Sequence, residues 1–378
     1  MATNRKELDR NKEAFYELLR AGLWEKEAWL ASYESIDYSA VMKIAEEQSV
    51  SGLITAGLEQ VKDVKIPQEW TLQFIGRTLQ TEQRNKEMNV FIADLITRMR
   101  KAGIYTLLVK GQGIAQCYER PLWRECGDVD LFLSDGNYKK AKEFLMPLAT
   151  QVEQEAEFKK HLGLYINRWL VELHGSLRNG LSARIDKMLD EIQNDTFYGG
   201  RVRSCMIGNT QMFMLGLEND ITYVFSHILD HFYKGGIGLR QICDWARLIY
   251  VNREKLNLSK LEKLIKQMEL MSEWKAFGTF AVEYLGMPCE AVPFLDDKVG
   301  KGLKRKAKLI SDFVMMSGNM GHNRDLSYLN GKSFVIKKAI SLKQRVGDIL
   351  RHAQIFPLDS LRFFWGITVT GVKAVVKR

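Results

Sequence analysis

Two carboxylates at alternate positions of a short apolar run are the residues here with the clearest capacity for chemistry: Gly127-Asp128-Val129-Asp130-Leu131-Phe132-Leu133. In a strand, alternation sends Val129, Leu131 and Leu133 to one face and Asp128 and Asp130 to the other. Aspartate is depleted in strands, and two carboxylates about 7 Å apart on one face repel unless positive charge sits between them. Magnesium, or manganese in its place, suits such oxygens and can stabilise the attacking and leaving oxygens of phosphoryl transfer. The other reading is a pair of solvated aspartates at the mouth of a strand.

A second candidate is Val171-Glu172-Leu173-His174, where Trp169, Val171 and Leu173 share an apolar face and Leu170, Glu172 and His174 point the opposite way. If this strand lies beside Asp128–Leu133, Glu172 completes a carboxylate triad, as a metal ligand or as general base toward an acceptor hydroxyl. Otherwise Glu172 and His174 are exposed or locally paired; His174 itself either positions the acceptor or the metal shell or bonds a neighbouring backbone carbonyl. A third is the turn Lys110-Gly111-Gln112-Gly113. Its glycines permit close backbone approach, the helix that follows aims N–H groups outward, and Lys110 adds charge, which together make an anion site. It lacks the spacing and the GK[ST] ending of a Walker loop.

Arg124 has two readings: a phosphate contact through its guanidinium fork, or neutralisation of the aspartates. Arg240 either meets the nucleotide or pairs with Asp244 one helical turn on. His227 and His231, also one turn apart, read as hydrogen-bonded core histidines, since a zinc site needs further ligands.

These residues must be positioned by the elements around them. Apolar spacing of three and four predicts helices from about Glu7 to Arg100. Short apolar runs predict strands at Ile104–Val109 and Asp128–Leu133, a helix over Asn137–Met146, a strand pair between Val152 and His174 turning near Asn167-Arg168, and a strand within Phe197–Cys205. After Thr210 the helical period returns, broken at glycines 235, 236 and 238 and prolines 288, 293 and 357. The expected class is α+β, a small mixed-sheet core flanked by helical regions. The expected parts are 1–102 (helical), 103–206 (core), 207–330 (helical) and 331–378 (basic amphipathic tail).

Taken together and in this order, the elements resemble the polymerase-beta-like nucleotidyltransferase superfamily, and within it a group of uncharacterised bacterial nucleotidyltransferases. The stretches LLVKGQGIAQCYERPLWRECGDVDLFL and VELHGSL, from Leu107 to Leu177, carry the resemblance, and HILDHFYKGGIGLRQICDWARL, from His227 to Leu248, is a weaker match. The resemblance implies Asp128, Asp130 and Glu172 as catalytic metal ligands. It implies nucleoside triphosphate contacts from Gly111 and Gly113, to which Lys110, Gln112, Arg124 and Arg240 are joined as candidates. The implied reaction moves a nucleoside monophosphate onto a hydroxyl-bearing acceptor and releases pyrophosphate. The chain has Lys-Gly-Gln-Gly where many members place a Gly-Ser pair, and glutamate where the third carboxylate is more usually aspartate.

The chain has 378 residues and a formal net charge of +9, and its five cysteines show no CxxC spacing, which points to a reducing compartment. The polar first ten residues do not read as a signal peptide, and the most apolar stretch, Phe363–Val376, is short of the ~20 residues that span a bilayer. A cytoplasmic chain is expected. Ten basic and two acidic residues fall between Lys332 and Arg378. Such helices either lie on an anionic membrane surface, at the inner face of the membrane, or pack on the domain with their lysines in water. Sequence-specific nucleic-acid binding is not expected, because no recognition motif accompanies the charge. The rival to an enzyme is a non-catalytic nucleotide-binding or membrane-surface scaffold on the same fold.

Overall fold

In the computed structural model, residues 2–234, 236–319 and 347–364 are described, with side chains from Arg10 onward. The N-terminal helices are α1 (Ala2–Trp24), α2 (Tyr38–Glu47), α3 (Ser51–Glu59) and α4 (Gln68–Lys101). Asp37 caps α2 by accepting from the Ser39 and Ala40 amides. Helices α1 and α3 touch through bare backbone: a Cβ on Gly57 would lie 2.0 Å from the Leu18 carbonyl oxygen, and one on Gly22 1.8 Å from that of Leu53.

The core then runs β1 (Leu107–Val109), α5 (Gly111–Ala115), β2 (Asp128–Phe132), α6 (Asp135–Leu145), β3 (Gln151–Val152), β4 (His161–Ile166), β5 (Trp169–His174), α7 (Ala183–Phe197), β6 (Val202–Ile207) and β7 (Thr210–Leu215). The strands form one mixed seven-stranded sheet in the order β3-β4-β5-β2-β1-β7-β6. Strand β2 is antiparallel to β1 and parallel to β5, while β4–β5 and β6–β7 are antiparallel hairpins. After the sheet come α8 (Leu217–Lys234), α9 (Leu239–Asn252), α10 (Leu258–Gln267), α11 (Met271–Glu283) and α12 (Lys301–Ser317). The class is α+β, as the sequence predicts.

Alternation sorts the two sheet faces into two cores. Val129, Leu131 and Leu133 pack with Val171 and Leu173 under Ile92, Leu95 and Met99 of the long helix α4. Phe132, Leu107 and Val109 belong to the larger core, which α8 and α9 share through Phe225, Ile228 and Trp245. Asp128 and Asp130 therefore face the helices that follow the sheet, not open water.

Two expectations are corrected. The helical period expected from Thr210 begins at Leu217, because Thr210–Leu215 is strand β7. Its apolar run Met212–Leu215 fits either period in isolation. Insertion between β1 and β6 decides it, with Met212 in one core and Leu215 in the other. The strand expected within Phe197–Cys205 lies at Val202–Ile207, since Phe197 ends α7. The sheet thus extends past the expected core boundary at residue 206.

Residues 347–364 of the basic tail pack on the helical core, burying Ile355, Phe356 and Phe363. The rest of that tail, with Lys332 and Trp365, lies outside the described residues, as does Gly235. No described helix is long and apolar enough to cross a membrane. Asp359 of this segment lies against Glu273 of α11, and burial together with the Asp359 charge pushes the Glu273 carboxyl up to about 8. A carboxyl whose folded pKa exceeds its unfolded value adds stability that is full below the ordinary carboxylate range and lost as pH rises through the folded value. Glu273→Gln fixes the neutral form. Its thermal midpoint is expected to match wild type near pH 4 and to exceed it by several degrees at about pH 9. A difference that stays constant with pH in scanning calorimetry would contradict this arrangement.

Candidate active site

Parallel pairing of β2 with β5 puts Asp130 directly opposite Glu172 and Phe132 opposite His174. The adjacency on which a carboxylate triad depends is therefore present. One carboxylate oxygen each from Asp128, Asp130 and Glu172 fall within 4.8 Å of one another. Only 2% of Asp130 is exposed. Three carboxylates this close in a largely buried place require compensating positive charge.

Part of it comes from the chain itself. Lys110 Nζ lies 2.6 Å from Asp130 Oδ1, and His174 Nε2 lies 2.8 Å from the same oxygen. Lys110 follows the last residue of β1 with φ +56° and ψ −144°, a conformation that only glycine adopts freely. Such strain costs roughly 1–3 kcal/mol and persists where its surroundings enforce it; here it accompanies the ion pair with Asp130. Gly111 continues the turn at φ +39°, and a Cβ on it would sit 3.3 Å from Cys126 Sγ.

The compensation is incomplete at Asp128, whose pKa is raised first by the charge of Asp130 and then by burial. At Glu172 burial opposes the charge, but hydrogen bonds with His161 and His174 and the charge of Lys110 outweigh it and hold the carboxyl far below its usual range. His174 mirrors this: burial disfavours its proton, and Asp130 and Glu172 more than restore it. Oxygen donors in this number fit a divalent cation such as Mg2+ or Mn2+. The repulsion at Asp128 is the observation in favour of that fit.

The triad lines a cavity of about 270 Å3. Helices α8 and α9 close it with His227, His231 and Arg240, and Lys159 and Arg178 add positive charge on the β4–β5 side. Asp230 and Asp244 share this lining, and carboxylates and basic side chains around one cavity suit a triphosphate carried with its cation. His231 Nε2 and His227 Nε2 are 3.1 Å apart. Burial lowers both pKa values, that of His231 to about 4, so the pair is neutral at pH 7. No further His, Cys, Asp or Glu joins them in a metal-ready group among the described residues.

Of the residues singled out in the sequence, Lys110, Gly111, Arg124, Asp128, Asp130, Glu172 and Arg240 all line this cavity. Gln112 and Gly113 do not. Gln112 turns into the protein and donates to Asn85 Oδ1 at 2.9 Å, and Gly113 lies where a Cβ would meet Met214 Sδ at 2.9 Å. The neutralising role considered for Arg124 falls to Lys110, because Arg124 makes a bidentate pair with Asp244 at 2.8 and 2.5 Å. That also removes Asp244 from the expected pairing with Arg240, which donates instead to the Glu125 carbonyl at 2.9 Å. The buried Arg240 Nε has no partner among the described residues. His174 bonds carboxylates rather than a backbone carbonyl.

His161, Lys159 and Arg178 also line the cavity and went unremarked in the sequence. Only His161 left a signal there. A two-residue turn at Asn167-Arg168 pairs Ile166 with Trp169 and, counted back along the hairpin, His161 with His174.

A family model described as an uncharacterised nucleotidyltransferase matches residues 34–286. No curated protein and no solved structure matches the chain.

Proposed function

We propose a reaction from the premise that the chain belongs to this nucleotidyltransferase family: transfer of a nucleoside monophosphate from a triphosphate to a hydroxyl-bearing acceptor, with release of pyrophosphate. The observation that supports it best is the convergence of Asp128, Asp130 and Glu172 within 4.8 Å in a cavity that Lys110, Lys159, Arg178 and Arg240 also line. A divalent cation held there, magnesium or manganese, supplies charge to the oxygens of the phosphoryl group in transfer. Asp128 and Asp130 bind it from β2. Glu172 binds it from β5, where the parallel register sets it opposite Asp130.

Lys110 stands 2.6 Å from Asp130 and on the cavity wall, where it balances the carboxylates and reaches a phosphate once a cation shares their charge. Arg240, on the cavity wall, adds positive charge toward the nucleotide. Arg124 acts from behind by holding the loop that leads into Asp128. Against a scaffold that has lost catalysis stands the retention of all three carboxylates together with the lysine that balances them.

The test is isothermal titration of non-hydrolysable analogues of each nucleoside triphosphate, with and without magnesium. One nucleotide per chain, bound tenfold or more tightly with the metal, is the expected outcome. Binding of none of the four, or binding indifferent to the metal, would remove the reading.

A further inference from the structure

His161, Glu172 and His174 form a second donor cluster beside the carboxylate triad, and beyond its hydrogen bond to Glu172 the reaction proposed above gives His161 no part. The β4–β5 hairpin sets His161 opposite His174, with ring centroids 4.8 Å apart, and Glu172 lies two residues back on the same face. Glu172 Oε2 is 3.1 Å from His161 Nε2 and 3.4 Å from His174 Nε2. One donor atom of each residue falls within 4.8 Å of the other two.

The two nitrogen–oxygen separations match what a small cation needs. Nitrogen and oxygen donors about 2.0–2.1 Å from a tetrahedral ion lie roughly 3.3–3.4 Å from one another. The donor types also differ from those of the triad. Magnesium takes oxygen ligands, whereas paired imidazoles with one carboxylate suit zinc and its first-row neighbours. We propose that His161, Glu172 and His174 hold a transition-metal ion, zinc foremost, in a site chemically distinct from the magnesium site and joined to it through Glu172.

The competing explanation is that the histidines only donate hydrogen bonds to the carboxylates. For His174 that partner is Asp130, 2.8 Å from its Nε2, and nothing in that reading turns the same nitrogen toward Glu172 as well. Here both aim Nε2 at the same carboxylate oxygen, from side chains that line the cavity and keep 29%, 19% and 12% of their surface exposed for His161, Glu172 and His174. An ion can enter such a site and keep an open position toward the cavity for a water or substrate oxygen, as catalytic zinc sites do. A carboxylate shared between two ions places them about 4 Å apart, the spacing of two-metal centres. That joint action rests on the magnesium reading of Asp128 and Asp130, whereas the histidine site does not.

The full chain, stripped with chelator and kept in excess magnesium, is titrated with zinc chloride against a chromophoric chelator, and the zinc-loaded wild type is read by X-ray absorption at the zinc edge. One zinc per chain with two imidazole nitrogens in its first shell is expected. His161→Ala should weaken zinc binding by more than about 100-fold, since even partners outside the ligand shell cost roughly 10–100-fold. His161→Asn, which keeps size and polarity on the strand, should show the same loss and guards against a disturbed hairpin. Asp128→Asn should leave zinc affinity nearly unchanged. Zinc that magnesium displaces, a first shell without imidazole, or equal affinity in His161→Ala overturns the proposal. So does a loss confined to His227→Ala, which would move the ion to α8. Zinc binding that persists where no nucleotide binds would count against nucleotidyl transfer and leave this site standing.

Discussion

Asp128→Asn is expected to lower magnesium-dependent release of pyrophosphate from the preferred nucleoside triphosphate by about 10²–10⁴-fold, the several kcal/mol that a correctly held cation contributes to phosphoryl transfer. The same substitution is expected to leave the chain, measured in chelator, as stable as wild type or more so. Both effects have one cause. The charge of Asp130 is the largest influence raising the Asp128 pKa, so at neutral pH the ionised Asp128 is held against repulsion and burial. Asparagine relieves that repulsion while keeping the shape of the side chain, and the cation loses a ligand. Asp130→Asn should behave differently. It strips Lys110 of the oxygen 2.6 Å away and leaves a buried ammonium with weaker compensation, so activity and stability should fall together. Paired urea denaturation and pyrophosphate assays on the two variants separate the outcomes. An Asp128→Asn protein that turns over normally, or that unfolds as readily as Asp130→Asn, would remove Asp128 from the role assigned to it.

That contrast shows why part of this site can be read from the sequence and part cannot. Asp128 and Asp130 are legible because they break a local rule: carboxylates at alternate positions of a strand contradict their propensity, and such contradictions mark functional places. Glu172 needed one further step, the pairing of β5 with β2, and the parallel register meets it by setting Glu172 opposite Asp130. Strand β7 was hidden because four apolar residues carry no period of their own, and only the gap between β1 and β6 makes them a strand. Gln112 misled for the opposite reason. Its neighbours Lys110 and Gly111 line the cavity, but the tight turn sends the next side chain inward to Asn85, a partner on α4 that no spacing rule connects to residue 112. Long-range pairs of buried charge are the least legible of all, and the largest effect expected on stability comes from one of them.

Asp244→Ala is expected to destabilise the chain by about 3–5 kcal/mol, the usual penalty for stranding the partner of a buried ion pair. Asp244 accepts from Arg124 Nε at 2.8 Å, from Arg124 Nη2 at 2.5 Å and from the Tyr118 hydroxyl at 2.8 Å. All three residues are more than nine-tenths buried, so little water reaches the stranded guanidinium. The pair also has a place in the assembly of the site. Arg124 lies four residues before Asp128, and its carbonyl accepts from Asn85 Nδ2 at 2.8 Å. The loop into β2 is thus held on one side by α4 and on the other by α9, and cutting the second tie frees the segment that aims Asp128. Nucleotide affinity should therefore weaken in Asp244→Ala even at temperatures where the chain stays folded. Replacing both partners with leucine should recover most of the stability, because two apolar groups leave no charge stranded, while nucleotide affinity stays low because the loop is still untethered. Urea midpoints and calorimetric titrations on the single and double variants test both halves. If the double variant regains nucleotide affinity along with stability, the ion pair holds the fold alone and has no part in setting the site.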